Sequence, residues 1–362
     1  MRCQTTVAST RSELSKSKMY RNHTIGVVVP AYNEEGFVGE VIETLPDYVD
    51  RIYVVDDCST DGTWAEIRRH AVIMNDQVSL TDSEGQTVTA NGESNTVFDR
   101  RVVPIRHKEN RGVGGAIKTG YLRAREDEID ITTVIAGDGQ MDPNLLPRFL
   151  DPIADGTVEY TKGNRLPSEE YRSEMPRFRL IGNAVLTVLT RIASGYWRMM
   201  DPQNGYTAIS LNALKAADIE SMYEYYGYCN DLLVKLNAKG LCVADVAMPA
   251  KYGDEESTIE YRTYITKVSM MLFRNFLWRL KVQYVLPRVH PVALLYSVGA
   301  LASGLGTLGG AWTLYSSKRL KQASVVRSLM SGLLFAIGWA FLLCAMVVDK
   351  QVNSGQEVRI DD

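Results

Sequence analysis

The chain has 362 residues, of which 45% are hydrophobic, enough for one large domain with a core of its own. Its 40 Lys and Arg residues stand against 43 Asp and Glu, and the formal net charge of -3 excludes a global nucleic-acid-binding surface. The 5 cysteines are scattered without a CxxC spacing, which argues against a zinc site or a disulfide framework and fits a reducing compartment.

The first part of the chain, residues 1–22, is polar and lacks the apolar segment of a signal peptide. We expect a disordered leader there, followed by the main domain at 23–260. Within that domain, residues 75–99 are rich in Ser, Thr, Asn, Gly and Asp and poor in apolar side chains. They predict an inserted loop or small hairpin.

Short β-branched runs bounded by turn-forming residues predict four strands, at 25–30, 51–55, 102–106 and 131–136. Helical patterns follow three of them, at 35–45, from Thr63 onward and from 110–116 onward. Strands that alternate with helices indicate right-handed crossovers and a mainly parallel sheet, which is an α/β fold.

Carboxylates follow three of these strands: Glu34 after the first, Asp57 after the second and Asp138 after the fourth. Ligands of such sheets bind at the carboxyl ends of the strands, so these side chains are expected at one edge. Each alone is more often a turn or cap residue, and the prediction depends on the three together. Asp138 and Gln140 offer oxygen ligands suited to Mg²⁺ or Mn²⁺, while Glu34 and Asp57 can accept hydrogen bonds from a base or a ribose.

Three basic residues later in the domain, Arg165, Arg179 and Lys251, are candidates to offset negative charge on a phosphate group. The glycine-rich segment 111–115 has neither the Walker spacing nor a GxGxxG pattern. It therefore predicts no dinucleotide cofactor, and we interpret these glycines as sites of close strand–helix packing near the site.

The C-terminal part is apolar. Residues 261–289 predict an amphipathic helix in a membrane interface, although packing on the protein's own core is an alternative. Interleaved with its apolar residues are Arg274, Trp278, Arg279, Lys281 and Arg288. Two uncharged segments of membrane length follow, at 291–315 and 328–348, within a two-helix region at 290–349 that precedes a tail at 350–362. Their glycines allow close helix–helix approach, and basic residues on both flanks leave the orientation open.

Taken together, segments 27–35, 54–63, 136–142 and 162–165 resemble family 2 glycosyltransferases. Within that family they resemble the polyprenyl-phosphate group typified by dolichyl-phosphate mannose synthases. The resemblance covers roughly 24–257 and implies a catalytic domain of the A-type, Rossmann-like fold with a mainly parallel sheet, followed by the interface helix and two transmembrane helices. Ala136 stands where the family has the first Asp of its D-x-D motif, so one donor contact is lost while Asp138 remains.

The resemblance also implies roles for individual residues. Arg165 and Arg179 would face the diphosphate or the acceptor phosphate, with Lys251 as a further basic residue, and Asp138 and Gln140 would be the metal ligands. The residues implied to bind the donor are Pro30, Tyr32, Glu34, Val55, Asp57, Gly137, Asp138 and Lys251.

The implied function is inverting transfer of a hexose from a UDP- or GDP-sugar to a polyprenyl or dolichyl phosphate, for glycan or glycoprotein assembly. The enzyme would be a multi-pass protein of the cell membrane with a cytoplasmic catalytic domain. A second hypothesis has a hydroxyl of a lipid-linked glycan as acceptor, with Asp201 or Asp231 as general base. A third is a non-catalytic membrane subunit that binds a nucleotide sugar.

Overall fold

The structure is a computed structural model that describes residues 19–83, 98, 100–165, 177–249, 261–287, 289–320 and 325–360. Its strands are β1 (Ile25–Ala31), β2 (Arg51–Asp56), β3 (Val102–Arg106), β4 (Ile131–Val134), β5 (Tyr160–Asn164), β6 (Thr207–Ser210), β7 (Val243–Ala247) and β8 (Glu357–Ile360). Its α-helices are α1 (Val38–Thr44), α2 (Thr63–Ser83), α3 (Val113–Glu126), α4 (Leu146–Ala154), α5 (Arg177–Ser194), α6 (Leu211–Ala216), α7 (Tyr228–Ala238), α8 (Tyr261–Arg279), α9 (Pro291–Leu320) and α10 (Val325–Asn353).

These strands form one sheet in the order β3-β2-β1-β4-β6-β5-β7-β8. Among them only β6 runs against its neighbours, β4 and β5, and the other paired strands are parallel. The predicted α/β fold with a mainly parallel sheet is confirmed. Because β6 is reversed, the loop that precedes it lies at the same edge as the carboxyl ends of β1, β2, β4 and β5.

Helices cover both faces of the sheet, and strand β1 in its middle is buried along its whole length. Its alternate side chains point to opposite faces, as the pleat requires. Val27 and Val29 pack into a core that includes Ile42 and Phe149, whereas Val28 packs into a second core on the other face. Such two-sided burial explains why the strand is a continuous β-branched run rather than an alternating one.

Two predicted boundaries differ from the structure. Helix α1 begins at Val38 rather than at residue 35, because Asn33 (φ +57°) and Gly36 (φ +90°) adopt left-handed turn conformations that a helix excludes. Helix α2 continues through Ser83, so the first part of the predicted insertion at 75–99 is helical. The remainder of that insertion falls outside the described residues apart from Phe98.

Helices α9 and α10 pack against each other as a hairpin. Segments Pro291–Ser317 and Val325–Asn353 are each long and apolar enough to cross a membrane. The pairing is close where glycines meet: a Cβ on Gly299 would lie 2.9 Å from the backbone nitrogen of Leu342 and 3.0 Å from the carbonyl oxygen of Gly338. The predicted pair of apolar helices and the role of these glycines agree with the structure.

The end of the chain corrects two expectations. The predicted tail at 350–362 is not a separate segment over its described part, 350–360, because Glu357–Ile360 forms β8 and pairs in parallel with β7. Arg279 is not an interface charge, because its guanidinium is fully buried and forms an ion pair with Asp349, with Nη2 and Oδ2 2.8 Å apart. The hairpin therefore starts from the main domain at α8 and returns its last strand to the same sheet.

Candidate active site

The first side of the site is formed where β1 and β2 end. Pro30 lies opposite Val55 in the parallel register, and both residues are buried. Their side chains therefore support the site from below, and the carbonyl of Pro30 accepts a hydrogen bond from the Gly137 N–H at 3.1 Å. Tyr32 is 46% exposed immediately after β1, and Glu34 follows it with its backbone N–H donating to the Thr63 hydroxyl at 2.8 Å. A ring and a carboxylate are thus presented at the sheet edge.

Asp57 is buried and holds a neighbouring loop. Its carboxylate contacts Nδ1 of His107 at 2.6 Å and accepts hydrogen bonds from the backbone N–H groups of Arg111 and Gly112 at 2.9 and 2.7 Å. Nε2 of His107 in turn contacts the Thr119 hydroxyl at 2.9 Å. The residue predicted to contact the base or ribose therefore fixes the segment 107–112 at the entrance of α3.

Asp138 lies in the turn that follows β4. Its Oδ1 accepts a hydrogen bond from the Gln140 N–H at 3.0 Å, and Gly139 (φ +72°) allows the tight reversal between them. Burial raises the pKa of Asp138, and no cationic side chain of the described residues pairs with it. Gly137 is needed just before it, since a Cβ there would lie 3.1 Å from the carbonyl oxygen of Pro30.

A tyrosine-containing loop faces this turn. The pKa of Tyr226 is raised by burial and then by the negative charges of Glu34 and Asp138. Glu224 anchors the loop: its carboxylate pairs with Arg111 at 2.5 Å and with Lys118 at 2.9 Å, and its carbonyl accepts from the Gly115 N–H at 2.8 Å. The glycines at the start of α3 do pack closely, but the prediction of strand–helix packing is wrong: a Cβ on Gly114 would clash with the carbonyl oxygen of Tyr223, in the tyrosine loop.

The opposite side of the site carries the cation. Arg165 follows β5 and donates to Asp201 from two nitrogens, Nε to Oδ2 at 2.7 Å and Nη2 to Oδ1 at 3.0 Å. Burial would raise the pKa of Asp201, but Arg165 and Lys162 outweigh it and hold the pKa below its ordinary value. The loop from Asp201 to β6 extends to the segment that follows β4, where the Tyr206 hydroxyl donates to the carbonyl of Asp142 at 3.0 Å.

Asp231 is not available as a general base, which corrects the expectation that it could serve as one. It is buried in α7 and accepts hydrogen bonds from the Tyr223 N–H at 2.9 Å and from Nδ2 of Asn275 at 2.6 Å. Lys235 also pairs with it at 3.1 Å. These partners give Asp231 a structural role, joining α7 to the tyrosine loop and to α8.

Two predicted residues cannot be placed. The side chain of Arg179 and the whole of Lys251 lie outside the described part of the chain, although the backbone of Arg179 belongs to α5. The sequence did not single out four side chains that contribute to the site: His107, Glu224, Tyr226 and Lys162. His107 directly follows β3, so the rule that ligands gather at strand ends could have found it.

The turn at Asp138 suits a hard divalent cation only in part. Across the described ranges, no group of three or more His, Cys, Asp or Glu side chains is arranged to hold a metal. The carboxylate of Asp138 has the right chemistry and lacks a cationic partner there, and the Gln140 amide is a second oxygen donor two residues away. These residues fit an ion whose remaining ligands come from the phosphates of a substrate.

Sequence comparison with known proteins identifies the family of this chain. The model of the family "Glycosyl transferase family 2" matches residues 26–216, more than half of the chain. The UDP-N-acetylglucosamine–dolichyl-phosphate N-acetylglucosaminyltransferase of Methanococcus voltae is 29% identical over 229 residues, covering 63% of this chain and 86% of that protein. The undecaprenyl-phosphate mannosyltransferase of Micrococcus luteus is 24% identical over 224 residues, covering 60% of this chain and 80% of that protein.

Among solved structures, glucosyl-3-phosphoglycerate synthase from Mycobacterium tuberculosis aligns with a TM-score of 0.47 and 18% identity, covering 77% of this chain and 86% of that chain. The matched family segment contains β1 to β6 and therefore both sides of the site, from Tyr32 to Asp201. The chain is a glycosyltransferase and belongs to glycosyl transferase family 2.

Proposed function

We propose that this glycosyltransferase moves a hexose from a nucleotide-diphosphate sugar to a polyprenyl phosphate held in a membrane. One observation carries the proposal. An Asp138 carboxylate that no cationic side chain of the described residues pairs with and a cation at Arg165 share one edge of a sheet whose last strand, β8, follows a hairpin of membrane length. The activities for which two relatives are named, transfer to dolichyl phosphate and to undecaprenyl phosphate, support the choice of acceptor.

The donor nucleotide, UDP or GDP, is proposed to lie at the ends of β1 and β2. The exposed ring of Tyr32 can stack on the base, and the Glu34 carboxylate can accept hydrogen bonds from base or ribose. Asp57 is proposed to act on the donor indirectly, because its carboxylate already holds segment 107–112.

The diphosphate is proposed to lie over the turn at Asp138. Asp138 and Gln140 would hold Mg²⁺ or Mn²⁺, which would neutralise negative charge on the diphosphate. The turn is fixed for this task, because the Gly137 N–H is bonded to β1 and the Gln140 N–H to Asp138 itself. Tyr226, whose pKa is raised in part by the negative charges of Glu34 and Asp138, would close the cleft on its open side.

The acceptor phosphate is proposed to face Arg165. A phosphate is already an anion and needs no strong general base, so the chain need only bring its oxygen in line with the sugar carbon. This agrees with the state of Asp201, whose pKa is held low by Arg165 and which is therefore a poor base. The same fact argues against the hypothesis that a hydroxyl acceptor is activated by Asp201.

The membrane is proposed to lie beside α8 and around the α9–α10 hairpin. One face of α8 packs on the protein through Val268 and Leu272, while Met270, Phe273 and Leu277 on another face are at least half exposed. We therefore propose that α8 combines the two alternatives, with one face on the protein core and the other in the membrane interface. We place the catalytic domain on the cytoplasmic side of the cell membrane, which is consistent with the free cysteines of the described residues.

The test is transfer from labelled UDP- and GDP-sugars into polyprenyl phosphate by membranes that contain the full chain, with Mg²⁺, with Mn²⁺ and with chelator. We expect metal-dependent label in an acid-labile lipid monophosphate. Asp138→Asn should abolish it, and Asp47→Asn, the same change at a side chain that is 93% exposed, should not. Label that enters only glycan-bearing lipids, or never enters lipid, would overturn the proposal.

A further inference from the structure

The C-terminal strand makes an unusual contact with the loop that leads to the site. The buried carboxylate of Glu357, the first residue of β8, accepts hydrogen bonds from three successive backbone N–H groups, at 2.7, 2.6 and 2.9 Å. Their donors are Trp197, Arg198 and Met199. Three donors on one carboxylate fix both the position and the direction of that backbone.

The next residues of this loop, Met200 and Asp201, are also held by hydrogen bonds. The Met200 N–H donates to Oδ2 of Asp245 on β7 at 2.7 Å. Its carbonyl accepts from the fully buried Nζ of Lys162 at 2.5 Å, and the carbonyl of Asp201 accepts from the same Nζ at 3.1 Å. Residues 197–201, which we call the connector, are thus held to β8, β7 and β5 in turn.

The connector ends on the cation of the site. Asp201 has a left-handed backbone (φ +42°), which is uncommon for a residue other than glycine. From this position its carboxylate receives both nitrogens of Arg165. A shift of the connector backbone would therefore move the guanidinium that faces the anionic end of the site.

The start of the loop, at the end of α5, is held by Arg279, which pairs with a residue of the membrane hairpin. Nε of Arg279 donates to the carbonyl of Ala193 at 2.8 Å and Nη2 to that of Ile192 at 3.3 Å, at the last turn of α5. Arg279 is itself paired with Asp349 near the end of α10. Three residues separate Asn353, the last residue of α10, from Glu357, so one hairpin supplies both attachments.

We propose that Glu357 is a positioning residue of this enzyme: by holding the connector from the strand that follows the membrane hairpin, it sets the place of Asp201 and hence of Arg165. The inference rests on the proposed function in that Arg165 acts on a phosphate. Replacing the carboxylate by an amide would turn one acceptor into a donor, so at least one of the three N–H groups would lose its partner.

The test uses the full chain in membranes and compares wild type with Glu357→Gln and with Glu40→Gln, the same change at an exposed side chain of α1. We expect kcat of E357Q to fall about tenfold or more, as small misplacements of catalytic groups do, with the donor KM close to wild type. Glu357→Asp, which keeps the charge but shortens the reach, should lie between the two. A purely structural attachment of β8 would instead lower the melting temperature and leave kcat of the folded enzyme unchanged.

A double-mutant cycle with Arg165→Gln separates the remaining explanations. If Glu357 acts through Arg165, its replacement should have no further effect once Arg165 is gone. Adding E357Q to R165Q should then lower the rate by less than about twofold, which is within the usual scatter of double-mutant cycles. Multiplicative losses would overturn the proposal. Release of the nucleotide from the donor is the readout, because it reports this coupling even if the acceptor is not a polyprenyl phosphate. Failure of lipid labelling alone would then count against the proposed function only.

Discussion

Arg165 and Asp201 form a two-point pair in which Nε and Nη2 of the guanidinium reach separate carboxylate oxygens at 2.7 and 3.0 Å. Asp201 is almost fully buried, while Arg165 keeps 30% of its side chain exposed. The carboxylate thus orients the cation without covering it, and the exposed part of the guanidinium remains able to meet a phosphate.

The Arg165–Asp201 pair leads to a prediction about how the stability of the protein depends on pH. Burial alone would raise the pKa of Asp201, and Arg165 and Lys162 reverse the effect and lower it. A lowered folded-state pKa means that stabilisation is present above the ordinary carboxyl pKa of about 3.9 and is lost as pH falls below it. In Arg165→Gln the burial is less opposed and the pKa of Asp201 rises, so the loss of stability that Asp201 causes on acidification should be smaller and should end at a higher pH than in wild type. Melting temperatures of wild type and R165Q across acidic pH would measure it.

The control for this experiment is Lys239→Gln, which removes a cation from the exposed end of α7. It should leave the acid profile of the wild type unchanged. If R165Q and wild type lose stability over the same pH range, Arg165 does not set the ionisation of Asp201.

A second prediction concerns Ala136, two residues before the acidic turn residue Asp138. Ala136→Asp would place a second carboxylate beside the turn and strengthen its attraction for a divalent cation. We expect the Mn²⁺ concentration for half-maximal transfer to fall by about tenfold, equivalent to about 1.4 kcal/mol. Ala136→Asn, which adds similar bulk without charge, is the matched control. An equal response of the two variants would show that charge at this position does not act on the metal.

The sheet and its acidic edge could be predicted from the sequence because β1 and β2 are continuous apolar runs that end in polar residues, a local signal. Strand β8 could not. It is four residues long, and its partner Val243 precedes Glu357 by more than a hundred residues, with both membrane-length helices between them. Nothing local marks such a pairing, so the segment was expected to be a tail.

The roles of Arg279 and Asp231, likewise, could not be predicted from the local sequence. In composition Arg279 is one of several cations on an apolar helix, and only the fold brings Asp349 against it. Asp231 precedes an apolar pair like many functional acids, yet its partners, Tyr223 and Asn275, come from other elements. Residue type can nominate a charged side chain, whereas burial and partners decide its role.

A third prediction tests the attachment of the hairpin. Arg279 and Asp349 are both fully buried, and the Tyr284 hydroxyl donates to the same carboxylate at 2.6 Å. Asp349→Asn would leave the guanidinium without a compensating charge, and removal of one partner of a buried pair costs about 3–5 kcal/mol. Thermal unfolding in detergent should show a large loss. The carboxylate-to-amide change Asp47→Asn at an exposed site is the control, and an unaltered melting temperature in D349N would contradict the prediction.

The glycines of the hairpin allow a fourth prediction with a control in the same helix. A Cβ on Gly338 would lie 2.9 Å from the carbonyl oxygen of Gly299, which is backbone and cannot rotate away, whereas nothing lies within 4 Å of a Cβ on Gly332. Gly338→Ala should therefore force α9 and α10 apart and cost about 1–3 kcal/mol, as overpacking does. Gly332→Ala should be neutral or slightly stabilising, since it only improves helix propensity. Melting temperatures of both variants in the same detergent decide the matter, and equal effects would mean that close packing of the two helices is not what Gly338 provides.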